Sequence, residues 1–69
     1  MQVSARNAIK GTVKKVVEGS VNTEVIIEIA PGVEVTSIIT KTSASNLQLS
    51  EGKQVYAIVK ATDVIIAVD

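Results

Sequence analysis

Short runs of valine and isoleucine, interrupted by turn residues, are the feature that most constrains how this chain folds. Their β-branched side chains are restricted at χ1 and fit a pleated surface, so they favour strands over helices. The interruptions at Gly19-Ser20 and Pro31-Gly32 are typical of tight turns. The pattern predicts five strands, at about 5–17, 21–30, 33–40, 53–61 and 64–68.

Residues 42–49 break the strand alternation and predict one short helix. Thr42 or Ser43 is a suitable N-cap, and Ala44 and Leu47 fall on one side of the helix. Three strands, a helix and two further strands follow the order of an OB-like barrel. The expected fold class is therefore all-β, a five-stranded OB-like barrel with the helix between strands 3 and 4.

The chain has 69 residues, so we expect a single domain spanning 1–69. It contains no cysteine and no histidine, which excludes disulfides and the zinc, haem and iron–sulfur sites that need those ligands. Small domains without such a staple usually associate with copies of themselves. The composition therefore predicts a homo-oligomer.

The distribution of apolar residues over the strand faces also indicates assembly. The second strand alternates in the usual way, with one apolar face formed by Val21, Thr23, Val25, Ile27 and Ile29. The last strand is apolar on both faces, which predicts that another chain or element covers the outer one. Further interface candidates lie opposite the expected core positions of their strands: Val16, Ile26, Ile38, Tyr56 and Ile58.

Several function classes are disfavoured. The seven basic and seven acidic residues cancel, and Tyr56 is the only aromatic residue, so neither nucleic acid nor an anionic membrane is an expected partner. No secretory signal or membrane span is visible, which predicts a cytoplasmic protein. Neither a G-x-S-x-G nucleophile motif nor a phosphate loop occurs, so we do not expect an enzyme.

Two short segments carry hydrogen-bond donors suited to an anion. On an extended backbone Ser4 and Arg6 share a face, as do Lys60 and Thr62, whereas Asp63 alternates away. Such a set, with donors and no carboxylate, suits a fully deprotonated tetrahedral dianion such as molybdate. Sulfate carries the same charge, so only the size of the cavity could distinguish it from molybdate.

The two donor segments belong to an ordered set of motifs that resembles the molbindin (Mop) family over about residues 4–67. The set comprises Ser4-Ala5-Arg6-Asn7, Lys10-Gly11-Thr12-Val13, Glu18 to Val25, Ile39-Thr40, Leu49-x-x-Gly52 and Val59-Lys60-Ala61-Thr62-Asp63-Val64-Ile65. The resemblance implies a barrel that assembles as a hexamer, a trimer of dimers, and binds molybdate, with tungstate as a second ligand, between subunits.

Carried onto matching positions, the resemblance implies an oxyanion site formed by Ser4, Arg6, Asn7, Lys60, Ala61 and Thr62. Arg6 and Lys60 would supply charge, Ser4 and Thr62 hydroxyl groups, and Ala61 a backbone N–H. A second anion site is expected at the turn formed by Gly19, Ser20, Val21 and Asn22, which serves equally well as a simple hairpin turn.

The expected function is intracellular molybdenum storage or homeostasis by a stand-alone protein. Two alternatives stay open at this point. The chain is an excised sensing domain of a molybdate-responsive regulator or transporter ATPase, or it is a structural or interaction barrel without a ligand.

Overall fold

The structure, a computed structural model, describes residues 1–69 and consists of one curled antiparallel sheet with a short helix. The strands are β1 (Asn7–Glu18), β2 (Asn22–Ala30), β3 (Val33–Thr40) and β4 (Gln54–Val59), hydrogen-bonded in the order β3-β2-β1-β4. Helix α1 (Lys41–Asn46) connects β3 to β4, and a 3-10 turn (Ala61–Asp63) follows β4. Neither helical segment has the length and hydropathy needed to span a bilayer.

The strand-rich fold and the position of the helix are as predicted, but the prediction of a fifth strand is wrong. Residues 64–68 follow the 3-10 turn and pair with no strand of this chain. A strand is stable only when its backbone groups find partners, and residues 65–69 take part in no backbone hydrogen bond. The sheet therefore has four strands and stays open between β3 and β4.

Several element boundaries also differ from prediction. β1 begins at Asn7 rather than residue 5, and β4 ends at Val59 because the next residues form the 3-10 turn. Helix α1 begins before the predicted caps, since the Thr40 hydroxyl accepts a hydrogen bond from the Ser43 N–H at 3.0 Å. Ala44 is buried as expected, whereas Leu47 lies at the C-cap and is 58% exposed.

The buried core of the sheet is formed mainly by aliphatic side chains. Val13, Val25, Ile27 and Ala57 form its buried cluster. The predicted inward face of β2 is confirmed at its centre, where Thr23, Val25 and Ile27 are buried. Val16 packs against this cluster and Ile26 is half-buried, so the structure places them differently from the exposed interface candidates, Ile38, Tyr56 and Ile58.

A β-bulge helps to curl the sheet. The β1–β2 register shifts between Val13 and Lys15, which leaves Lys14 without a partner residue in β2. The Lys14 Nζ instead donates to Glu34 at 2.6 Å and lies 3.8 Å from a Glu28 carboxylate oxygen. The hydrogen bond to Glu34 and that residue's charge raise the pKa of Lys14. Lys14 is therefore engaged within the sheet and is not free to hold a ligand.

The buried hydroxyl of Thr23 leads to a stability prediction. This residue is 0% exposed, and its Oγ1 has no hydrogen-bond partner. Thr23→Val keeps the shape of the side chain and removes the unsatisfied group, so we expect the free energy of unfolding to rise by about 1 kcal/mol. Denaturant titration at fixed protein concentration measures the change.

Thr12→Val is the matched control for that substitution. The Thr12 hydroxyl accepts a hydrogen bond from Gln54 Nε2 at 3.0 Å, so this change removes a satisfied group and should not stabilise the protein. A decrease in stability on Thr23→Val would show that the hydroxyl has a partner that matters to the fold.

Candidate functional site

The start of β1 meets the end of β4 at one corner of the sheet. The last pair of their antiparallel register joins Asn7 to Val59, and the Asn7 Nδ2 donates to the Val59 carbonyl at 3.2 Å. Arg6 and Lys60 follow immediately beyond this pair, one on each chain segment. The strand pairing therefore brings the two predicted donor segments together, although 53 residues of sequence separate Asn7 from Lys60.

The two segments line one open depression. Its lining comprises Ser4, Ala5, Arg6, Ile58, Lys60, Ala61, Thr62 and Asp63. Five of the six residues expected at the principal oxyanion site are in this set. Asn7 is not, because its amide ties β1 to β4. Asn7 instead joins the first residue of β1 to the last residue of β4.

The backbone around Lys60 differs from the extended strand that the alternation argument assumed. The Asp63 N–H donates to the Lys60 carbonyl at 2.8 Å, and the Val64 N–H donates to the Ala61 carbonyl at 3.4 Å. These bonds close the 3-10 turn. The backbone N–H groups of Ala61 and Thr62 donate neither of these hydrogen bonds. Lys60 and Thr62 thus both line the depression because the backbone turns there, and not because alternate residues of a strand share a face.

Asp63 is a second departure from the sequence argument. Strand alternation predicted that its carboxylate points away from the donors, but the residue lines the same depression because the 3-10 turn replaces the strand. The lining of the depression therefore includes one acidic residue as well as the donor residues. A carboxylate beside the donors repels a dianion, and it also offers an acceptor to an anion that carries a proton.

The positive charge in the depression is not neutralised by ion pairs. Both ion pairs of the protein belong to Lys14, and neither Arg6 nor Lys60 takes part in one. Ser4, Arg6, Lys60 and Thr62 are all exposed in the single chain. Water therefore screens their charges strongly, and an anion would be held more firmly if a second surface covered the depression.

A second depression involves the predicted turn after β1. Ser20 and Val21 line it together with one face of α1, formed by Lys41, Thr42, Ser45 and Asn46. Gly19 and Asn22 do not line it. The Gly19 N–H donates to the Asn22 carbonyl at 2.8 Å, and a Cβ on Gly19 would lie 2.7 Å from that oxygen, so these two residues serve the turn.

The helix residues of this second depression were not among the predicted site residues. Lys41 and Ser45, and likewise Thr42 and Asn46, are four residues apart and so share a face of a helix. That spacing was the available signal. The prediction did not use this spacing, because the predicted helix began at Thr42, one residue after Lys41.

The sequence and the fold both have well-defined relatives. The chain matches the TOBE domain over residues 3–66. Molybdenum-pterin-binding protein 3 of Clostridium pasteurianum is 48% identical over 66 residues, which cover 96% of this chain and 97% of that protein. The structure of MopII from Clostridium pasteurianum superimposes with a TM-score of 0.90 at 45% identity, covering 97% of this chain and 100% of that one.

A third relative has been solved with its ligand. The cytoplasmic molybdate-binding protein ModG, in a form with molybdate bound, superimposes with a TM-score of 0.83 at 49% identity. The match covers 88% of this chain but only 43% of the ModG chain. The same fold thus also occurs as part of a longer polypeptide.

Proposed function

Because this chain belongs to the TOBE-domain family, among its molybdenum-pterin-binding (Mop) members, we propose that it binds molybdate in the depression between the ends of β1 and β4. The family resemblance that the sequence predicted is confirmed. The observation that carries the proposed site is the meeting of the Ser4–Arg6 and Lys60–Thr62 segments in one depression. Tungstate, a tetrahedral dianion of the same kind, is proposed as a second ligand.

Five of the lining residues have a proposed role. Arg6 and Lys60 supply positive charge and N–H donors, Ser4 and Thr62 supply hydroxyl donors, and Ala61 supplies its backbone N–H. Asn7 fixes the strand ends through its bond to Val59. The second depression is a weaker candidate for an anion, since Ser20 and Val21 line it whereas Gly19 and Asn22 do not.

Exposure of the donors in a single chain supports a site shared between copies. We propose a homo-oligomer, a hexamer built as a trimer of dimers, in which another subunit covers the depression. Exclusion of water strengthens the attraction between the cations and the oxyanion, so the ligand and the assembly stabilise each other. The proposed role is reversible storage of molybdenum in the cytoplasm, by binding and not by catalysis, without nucleic acid or membrane as a partner.

One alternative context has a specific observation behind it. The match to ModG covers less than half of that chain, so this fold also functions inside longer proteins. Residues 1–69, proposed as one molybdate-binding domain, would then act as the sensing part of a regulator or transporter. The site chemistry is the same in both contexts, and the length of the native polypeptide in the source cell decides between them.

Isothermal titration calorimetry with molybdate, tungstate, sulfate and hydrogen phosphate tests the proposed function. We expect affinities in the micromolar range or tighter for molybdate and tungstate, and weak or absent heats for sulfate. Hydrogen phosphate is the informative competitor, because it carries a proton that needs an acceptor, and Asp63 is the one acidic residue that lines the depression. Equal heats for molybdate and sulfate would contradict the proposed selectivity, and no heat with molybdate would favour a barrel without a ligand.

A further inference from the structure

Asp63 is the one acidic residue among those that line the depression between the ends of β1 and β4. It shares this lining with two cationic residues, Arg6 and Lys60. Two positive charges and one negative charge leave the lining with a smaller positive charge than the donor residues alone would give it. A carboxylate is an unexpected member of a site for an anion, because like charges repel each other.

The 3-10 turn brings Asp63 to the side of the cations. The Asp63 N–H donates to the Lys60 carbonyl at 2.8 Å, and this bond closes the turn. In a 3-10 turn, side chains three residues apart lie one above the other, so Asp63 falls on the same side as Lys60. On an extended strand the two residues would lie on opposite faces. The backbone of the turn therefore determines that the acidic residue belongs to the site.

The side chain of Asp63 contributes no bond to the fold. It takes part in no side-chain hydrogen bond. Both ion pairs of the protein belong to Lys14, so no ion pair joins Asp63 to Arg6 or Lys60. The residue is also exposed. Its negative charge is therefore not neutralised by a partner, and the fold does not need it.

We infer that Asp63 limits the affinity of this site for tetrahedral dianions, and does so in proportion to the charge of the anion. The inference rests on the proposed function of the depression. Repulsion by a carboxylate is twice as large for a dianion as for a monoanion at the same position. Hydrogen-bond donors serve the oxygens of both. Asp63 therefore keeps the binding of molybdate reversible, as a storage protein that must release its ligand requires.

Asp63→Asn tests the inference with two anions of similar shape. Molybdate and perrhenate are both tetrahedral, with four acceptor oxygens and no proton at neutral pH, but perrhenate carries one negative charge instead of two. Asparagine keeps the shape of the side chain and removes its charge. At low ionic strength we expect Asp63→Asn to bind molybdate about tenfold more tightly and perrhenate about threefold more tightly. Calorimetry measures molybdate directly and perrhenate by its competition with molybdate.

Two further variants are the matched controls. Asp63→Glu keeps the negative charge, so both affinities should stay close to those of the native protein. Glu51→Gln removes one negative charge elsewhere on the chain. Glu51 is exposed, forms no side-chain bond and lines a different depression. This variant should leave both affinities nearly unchanged. Light scattering verifies that all variants have the oligomeric mass of the native protein.

The salt dependence provides a second measurement on the same variant. The gain in molybdate affinity from Asp63→Asn should shrink as sodium chloride is raised, because salt screens the repulsion that the substitution removes. A gain that is independent of salt, or equal for molybdate and perrhenate, would show that shape or hydrogen bonding is responsible and would overturn the inference.

An unchanged or weaker affinity for molybdate in Asp63→Asn would also overturn the role of Asp63. In that case the proposed function still stands, provided that the native protein binds molybdate. Absence of molybdate binding by the native protein contradicts the proposed function itself, and the inference fails with it.

Discussion

Arg6→Ala is expected to weaken molybdate binding by about tenfold to a hundredfold, because hydrogen bonds to charged groups contribute about 1.5–3 kcal/mol each. The side chain is exposed and forms no ion pair in the protein, so its removal should leave the sheet intact. Calorimetry measures the affinity, and circular dichroism with a thermal melt verifies the fold. The loss should appear for tungstate as well.

Lys15→Ala is the matched control for the loss of one positive charge. Lys15 is exposed on β1 and does not line the proposed oxyanion site. A general electrostatic effect would weaken binding equally in both variants, whereas a specific site predicts a large effect for Arg6→Ala alone. Arg6→Lys keeps the charge but loses the forked geometry, so we expect an intermediate affinity. An unchanged affinity in Arg6→Ala would mean that the principal site lies elsewhere.

The strands of this fold could be predicted because their signal is local. The bounds of β3 were predicted correctly at 33–40, and the buried positions at the centre of β2 followed from simple alternation. The fifth strand failed for a non-local reason. The sequence shows that residues 64–68 suit a strand, but whether they form one depends on a pairing partner, which local pattern does not reveal.

The site was predictable in its membership but not in its geometry. Donor chemistry and family resemblance selected Ser4, Arg6, Lys60 and Thr62, and the β1–β4 register brings them together. Strand alternation does not explain why Lys60 and Thr62 lie together, because Lys60 is the N-cap of a 3-10 turn and Thr62 lies within that turn. The same turn places Asp63 in the depression, a carboxylate that the sequence argument had excluded.

Gly11 lies within the motif Lys10-Gly11-Thr12-Val13 and is buried where β1 lies against β2. A Cβ on this residue would lie 2.6 Å from Ile27 Cγ2 and 2.8 Å from the backbone oxygen of Glu28. The side chain of Ile27 belongs to the core cluster, and the carbonyl belongs to the paired strand. Neither atom can move without disturbing the sheet, so we assign this glycine a packing role and not a role in holding the anion.

Gly11→Ala should therefore lower the free energy of unfolding by about 3 kcal/mol, the upper part of the usual range for overpacking a core. Gly32→Ala is the comparator. Gly32 has a φ of 76° and no atom within 4 Å of an added Cβ, so its cost is conformational only, about 1 kcal/mol. Denaturant titrations at one protein concentration keep the contribution of assembly equal. If Gly11→Ala lowers the free energy of unfolding no more than Gly32→Ala does, β1 and β2 can move apart enough to accept the added Cβ. The glycine of this motif must then be explained by something other than close packing.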